Sequence, residues 1–157
     1  MSKSPLILAI DQGTTSSRAI VFNQQGRAVA TVQQEFRQIY PADGWVEHET
    51  EAIWQSTLQV CRQAVAEAET TSGEVVCIGI TNQRETTLLW ERNSGKTIGN
   101  AIVWQDRRTA EYCKTLKEQG HEPLVTEKTG LLLDPYFSAT KLSWMLDQDE
   151  ELRQRAK

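Results

Sequence analysis

The fold is decided by Leu6-Ile-Leu-Ala-Ile-Asp-Gln-Gly-Thr-Thr-Ser-Ser-Arg-Ala-Ile-Val-Phe22. Leu6 to Ile10 is an unbroken apolar run, the pattern of a strand covered on both faces, and an apolar strand resumes from Arg18 to Phe22 after seven intervening residues. So short an interval predicts a hairpin. Asn23-Gln-Gln-Gly26 carries turn chemistry, because Asn and Gly tolerate positive φ, and Ala28 to Val32 reads as a third strand.

Working outward, Tyr40 to Trp45 is a loop and Thr50 is placed to cap a helix, with Glu51 in its first turn, where a carboxylate complements the helix dipole. Trp54, Leu58, Cys61, Val65 and Ala68 recur at helical spacing, which predicts a stripe facing the core, and Gly73 ends the helix. Val75 to Ile80 reads as a second buried strand and Thr86 to Trp90 as a third. A turn at Asn93-Ser-Gly95 precedes a strand over Ala101 to Trp104. The remainder reads as mainly helical. Thr109 to Gln119 stops at Gly120, and Ser138 caps a helix bearing Leu142, Met145 and Leu146. Residues 147–157 read as the charged opening of another helix with no Gly or Pro behind it, so a truncated chain is expected. Three antiparallel strands, a crossover helix, then further strands and helices describe an α/β protein with a mixed sheet and flanking helices.

Composition narrows the function classes. A chain of 157 residues suffices for one ordinary domain, which buries roughly 68–70% of its unfolded surface. The 17 basic and 21 acidic residues give a net charge of −4, and among the scattered basic positions Arg107 and Arg108 are adjacent. That distribution offers no footprint for nucleic acid. A hydrophobic fraction of 39% with 24% charged residues excludes a disordered chain. The apolar run near the start ends at Asp11 after five residues, too short for a membrane span or a signal peptide. A cytoplasmic location is therefore expected. Cys61, Cys77 and Cys113 are odd in number and widely spaced, which supports neither a disulfide framework nor a zinc site.

Four clusters carry candidate chemistry. Asp11-Gln-Gly-Thr-Thr-Ser-Ser-Arg18 sits in the connection between the first two strands. Gly13 lets backbone approach a ligand, and Thr14, Thr15 and Ser16 add hydroxyls to backbone N–H groups that can cradle phosphate oxygens. Arg18 can neutralise their charge, and Asp11 can hold Mg²⁺, which prefers carboxylate and phosphate oxygens. An ordinary hairpin with small polar turn residues is the alternative. Arg84 and Glu85, in Thr81-Asn-Gln-Arg-Glu-Thr86 after a strand, pair a rigid donor with a pure acceptor, a combination suited to bracketing neighbouring hydroxyls of a polyol. A solvated surface turn would carry the same charges. Trp104 is either core or a wall for substrate carbons, and Tyr136, after Pro135, either packs or closes a small polar pocket. Lys141 and Trp144 share a helix face and read as structural.

Taken together, Ile10–Arg18, Gly44-Trp-Val-Glu-His48, Thr81–Thr86, Trp104-Gln-Asp-Arg-Arg108 and Tyr136–Trp144 resemble the FGGY family of carbohydrate kinases, and within it the branch that phosphorylates glycerol. The resemblance covers the whole chain. It implies a ribonuclease-H-like fold of the actin/hexokinase type, incomplete here: residues 1–157 would be the N-terminal portion of the first lobe, with the C-terminal lobe absent. It further implies that Thr14, Thr15, Ser16 and Arg18 contact the nucleotide phosphates, that Asp11 lies near Mg²⁺, and that Arg84, Glu85 and Tyr136 bind glycerol hydroxyls with Trp104 against the carbon chain. ATP and Mg²⁺ are the implied cofactors, glycerol and ATP/ADP the ligands, and a homo-oligomer the assembly of the full-length protein. No catalytic residue is expected within the chain, because the family's general-base aspartate comes from later sequence, beyond Lys157. These residues alone are therefore expected to be inactive.

Competing classes fit less well. A ribonuclease-H-like nuclease would need more strand-end carboxylates and a basic groove, and a chaperone-type ATPase would have no use for Arg84, Glu85 and Tyr136. A kinase of another small polyol or ketose, or a binding module without turnover, remains an alternative.

Overall fold

The computed structural model describes residues 5–69 and 74–155. They form two compact units, one built from the residues up to Gln38 with Glu49–Gln83, the other from Ile39–His48 with the residues from Arg84 onward.

The first unit is a four-stranded sheet with one helix. Strands β1 (Leu6–Gln12), β2 (Ser16–Phe22) and β3 (Ala28–Glu35) run antiparallel in sequence, as the two tight turns require. The second turn is built as its residues suggest. The Asn23 carboxamide oxygen accepts the Gln25 and Arg27 N–H groups, and Gly26 takes φ +72°. Helix α1 (Thr50–Glu67) then crosses over, and β5 (Val75–Asn82) joins β1 in parallel, giving the order β3-β2-β1-β5.

Alternation in β2 shows that the sheet is covered on one face: Ser17, Ala19 and Val21 are buried while their neighbours are half-buried. The same holds in β1, where Leu8 is buried and Ile7 is 42% exposed, so the strand expected to be covered on both faces is covered on one. Leu8, Ala19, Val21, Ala30 and Val32 pack against Val60 and Ala64 of α1. Helix α1 meets the sheet through Ser56, Val60 and Ala64, with Cys61 and Ala68 of the predicted stripe packed partly against the same core, while Trp54 is 58% exposed. The reason is polar: Ser17 Oγ lies 2.9 Å from Ser56 Oγ and 3.1 Å from Thr57 Oγ1, a hydroxyl cluster that a search for apolar periodicity overlooks. Glu49 occupies the cap position and Thr50 is the first helical residue. The helix ends at Glu67, with Glu69 in the left-handed region, and the expected stop at Gly73 lies outside the described residues. Strand β5 is not buried as predicted. Helix α1 lies over β2 and β3, leaving Val76, Ile78 and Ile80 open at 67%, 56% and 73% exposure.

The second unit holds β4 (Glu47–His48), paired antiparallel with β6 (Ala101–Ile102), and helices α2 (Ala110–Glu118), α3 (Glu122–Thr129), α4 (Ser138–Asp147) and α5 (Glu150–Arg155). Thr86–Trp90 makes isolated bridges, Thr87 with Ile102 and Trp90 with Thr97, instead of the predicted strand. The predicted strand over Ala101–Trp104 shortens to two residues for the same reason, since each partner segment offers little backbone in register. Helix α4 begins at Ser138, with Phe137 in the cap position. Among the described residues no helix is long and apolar enough to cross a membrane.

Candidate functional site

In the first unit, the β1–β2 hairpin brings the loop residues together. Gly13 N–H donates to the Ser16 carbonyl at 2.9 Å, and a Cβ at Gly13 would stand 3.2 Å from that same oxygen, so a side chain there would press on the turn. Two further bonds tie the loop to the segment after β3: Phe36 N–H donates to the Thr15 carbonyl at 3.2 Å, and Gln38 Nε2 donates to the Thr14 carbonyl at 3.0 Å. The backbone of Thr14 and Thr15 is thus held through its carbonyls.

Register places Asp11 opposite Arg18 on β2 and opposite Thr81 on β5. Leu8 and Val21 pair on the α1 side, so Asp11, Arg18, Ser16 and Thr81 share the opposite, uncovered face. Arg18 Nε and Nη2 both donate to Gln33 Oε1, at 3.0 and 2.7 Å, and Gln33 Nε2 donates to Ser16 Oγ at 3.1 Å. Gln33, which the sequence reading did not single out, aims the guanidinium. Its signal was present in the hairpin register, because Arg18 and Gln33 are cross-strand partners.

The second unit gathers Glu85, Tyr136 and Trp104. Glu85 has φ +64°, the left-handed region that favours glycine, and its Oε2 accepts the Ser138 N–H at 2.9 Å and the Ser138 hydroxyl at 2.7 Å. A carboxylate from a distant loop therefore caps the first turn of α4, where the helix dipole adds to the hydrogen bonds. Two residues earlier, the Tyr136 ring meets the Trp104 ring edge-on at 5.7 Å and the Phe137 ring at 5.1 Å. Asp134 Oδ1 accepts the Tyr136 N–H at 2.8 Å, which fixes the turn that presents the ring. Trp104 is half-buried and stands beyond the end of β6, and Arg84 is exposed beside Glu85.

Also in the second unit, the stretches around Glu47, Asp106 and Trp144 form a buried charge cluster. The Arg108 guanidinium lies between Trp45 and Trp144, 3.9 and 4.5 Å from their ring centroids, and reaches Asp106 Oδ2 at 2.9 Å and Glu47 Oε1 at 2.7 Å. Asp106 also accepts the Val46 N–H at 2.6 Å and the Arg108 N–H at 2.8 Å, and Asn100 Nδ2 donates to Glu47 Oε2 at 2.9 Å. Trp144 is structural as expected, through Arg108. Next to this cluster His48 is fully buried, and that burial lowers its pKa from 6.5 to about 4.

No group of three or more His, Cys, Asp or Glu side chains among the described residues is arranged to hold a metal. A lone carboxylate such as Asp11 suits Mg²⁺, which keeps several waters and takes most other oxygens from phosphate.

The family description "FGGY family of carbohydrate kinases, N-terminal domain" matches residues 6–157. The chain is 63% identical over 153 residues to glycerol kinase 1 of Pseudomonas aeruginosa, covering 98% of this chain and 31% of the relative. It is 60% identical over 152 residues to glycerol kinase of Rhodospirillum rubrum, covering 97% and 31%. The crystal structure of Plasmodium falciparum glycerol kinase with ADP superposes with a TM-score of 0.90 at 32% identity, over 97% of this chain and 30% of that one. The chain thus spans about 31% of the length of the curated relatives it matches. The mixed α/β architecture is that of the actin/hexokinase-type ATPases, and the chain belongs to the FGGY family of carbohydrate kinases, matching its N-terminal domain.

Proposed function

We propose that the protein carrying this chain transfers the γ-phosphoryl group of ATP to a terminal hydroxyl of glycerol, giving sn-glycerol 3-phosphate. The observation that carries this reading is the assembly in the second unit: the Glu85 carboxylate is held on one oxygen by Ser138, which lies two residues after a tyrosine packed on Trp104. Both Ser138 bonds fall on Oε2, which leaves Oε1 of Glu85 to accept a substrate hydroxyl. Arg84 supplies donors beside it, Tyr136 a phenol, and Trp104 an apolar wall for the carbons. The identity of 60–63% to proteins named glycerol kinase supports glycerol over larger polyols.

Thr14, Thr15, Ser16 and Arg18 are assigned to the nucleotide phosphates, with Gln33 orienting Arg18. Asp11 is the residue that would hold Mg²⁺, whose contribution when bound is to neutralise charge on the phosphate oxygens. In the transfer a bond forms between the glycerol oxygen and the γ-phosphorus as the bond to the β–γ bridging oxygen breaks, and the hydroxyl proton passes to a carboxylate outside these residues. Such transfer depends on positioning and electrostatic neutralisation, which this chain's rigid loop and fixed carboxylate provide. In this reading residues 1–157 form the N-terminal portion of the first of two lobes. A cytoplasmic setting fits the free thiols of Cys61, Cys77 and Cys113.

The test is a substrate panel with the full-length polypeptide. ATP-dependent turnover of glycerol well above that of xylulose and erythritol is expected, and preference for either competitor would replace this reading with that of a kinase for another small polyol or ketose.

A further inference from the structure

The unit that holds Glu85 and Tyr136 also buries an amino group that the reaction as described does not use. Lys141 is 0% exposed, and its Nζ donates to the Tyr136 carbonyl at 2.5 Å and the Pro135 carbonyl at 3.3 Å. An ammonium is costly to desolvate, and an apolar side chain would fill the same space without that cost. The charge is accounted for by what it holds.

Its surroundings take in the pocket and the elements beside it. Glu85, Asp106, Asp134 and Cys113 are the titratable groups acting on it, and their pull opposes the burial that lowers its pKa from 10.5 to about 8. The segment Asp134–Phe137 is a tight turn. Phe137 N–H donates to the Asp134 carbonyl at 3.1 Å, Tyr136 N–H to the Asp134 carboxylate at 2.8 Å, and Arg107 Nη1 lies 3.5 Å from the same carboxylate. This turn runs directly into α4, whose first residue bonds Glu85 and whose fourth is Lys141. The N–H side of the turn is thus fixed by Asp134 and its carbonyl side by Lys141.

We propose that Lys141 is a positioning residue of the polyol pocket: by gripping the Pro135 and Tyr136 carbonyls it holds the Tyr136 ring and the Ser138-bound Glu85 carboxylate in one fixed arrangement. The inference rests on the glycerol reading of that pocket. It differs from a packing role in what it moves, because a group that fixes the substrate site alters glycerol recognition whether or not it alters stability.

The experiment compares the full-length polypeptide with its Lys141→Met variant, whose side chain matches the lysine stem without the charge. Glycerol KM is expected to rise about tenfold or more, since small displacements of a positioning group are costly. The KM for ATP is expected to stay within about twofold, the signature of a lost substrate-site interaction. Thr109→Val serves as the stability control. It removes the buried hydroxyl contact of 2.9 Å between Thr109 and Thr140 and is expected to lower Tm with glycerol KM unchanged. Lys141→Gln, able to donate to one carbonyl, is the second variant, with the same effect in smaller measure. A Tm loss in the Lys141 variants with wild-type glycerol KM would overturn the proposal, and so would failure of both to fold, which marks a purely structural residue. An unmutated polypeptide without glycerol turnover would instead refute the glycerol reading itself.

Discussion

Replacing Arg108 with methionine removes a guanidinium that the structure surrounds completely. The Arg108 side chain is 1% exposed, its partners Asp106 and Glu47 are 0% and 14% exposed, and two tryptophan faces close over it. Removing one member of a buried ion pair costs about 3–5 kcal/mol, because the carboxylate left behind stays desolvated. Loss of the two cation–π contacts adds roughly 1–2 kcal/mol. Against this, Asp106 keeps the Val46 and Arg108 N–H donors and Glu47 keeps Asn100, so the lower part of the range applies. A loss of about 4–5 kcal/mol is expected, a large share of the roughly 5–15 kcal/mol that stabilises a typical domain. Urea unfolding followed by tryptophan fluorescence reads it directly, since Trp45 and Trp144 flank the deleted group. With a slope of about 2 kcal/mol per molar, the midpoint falls by roughly 2–2.5 M. Pairing Arg108→Met with Asp106→Asn removes the stranded charge, so the double variant is expected to lose at least about 1 kcal/mol less than the sum of the singles. A single-variant loss under about 1 kcal/mol, or strict additivity, would refute the view that this cluster is a desolvated charge network.

Two further outcomes follow from local geometry. His48 has a pKa near 4 when folded against 6.5 when unfolded, so between those values the unfolded chain alone binds the proton. Its stabilising contribution is therefore complete above pH 6.5 and is lost as pH falls towards 4, amounting to about 3 kcal/mol. His48→Gln is expected to flatten that stretch of the stability–pH curve, and an unchanged slope would contradict the assignment. Gly13→Ala puts a Cβ 3.2 Å from the Ser16 carbonyl oxygen. The KM for ATP is expected to rise severalfold with glycerol KM unaffected, whereas an equal change in both would disconnect the loop from the nucleotide.

The hairpin was legible because its determinants are local: apolar runs, a short interval, and Asn23 and Gly26 at the turn. Long-range pairings were not. The face of α1 is set by Ser17 against Ser56, and nothing in a pattern of apolar residues reveals a buried hydroxyl pair. Val75–Ile80 has the composition of a buried strand, yet its exposure depends on where α1 crosses the sheet. In the candidate site, Glu85 and Tyr136 were visible as residue types, while the bond from Ser138 joins positions 53 apart in sequence. Arg18 was visible and Gln33 was not, because a glutamine acquires meaning only from the register opposite it. Lys141 read as an ordinary helix residue because its two acceptors are backbone carbonyls, which every residue possesses.

The most direct test of the central claim is the initial rate of ATP-dependent glycerol phosphorylation by the full-length polypeptide and its Glu85→Gln variant. The amide oxygen of glutamine can still accept both Ser138 bonds, so α4 stays capped while the charge that receives a substrate hydroxyl is gone. A charge-assisted hydrogen bond of about 1.5–3 kcal/mol corresponds to a fall of roughly 10- to 100-fold in kcat/KM for glycerol. That fall, with the KM for ATP unchanged, is the expected result. Unaltered kcat/KM for glycerol in the variant would contradict the account.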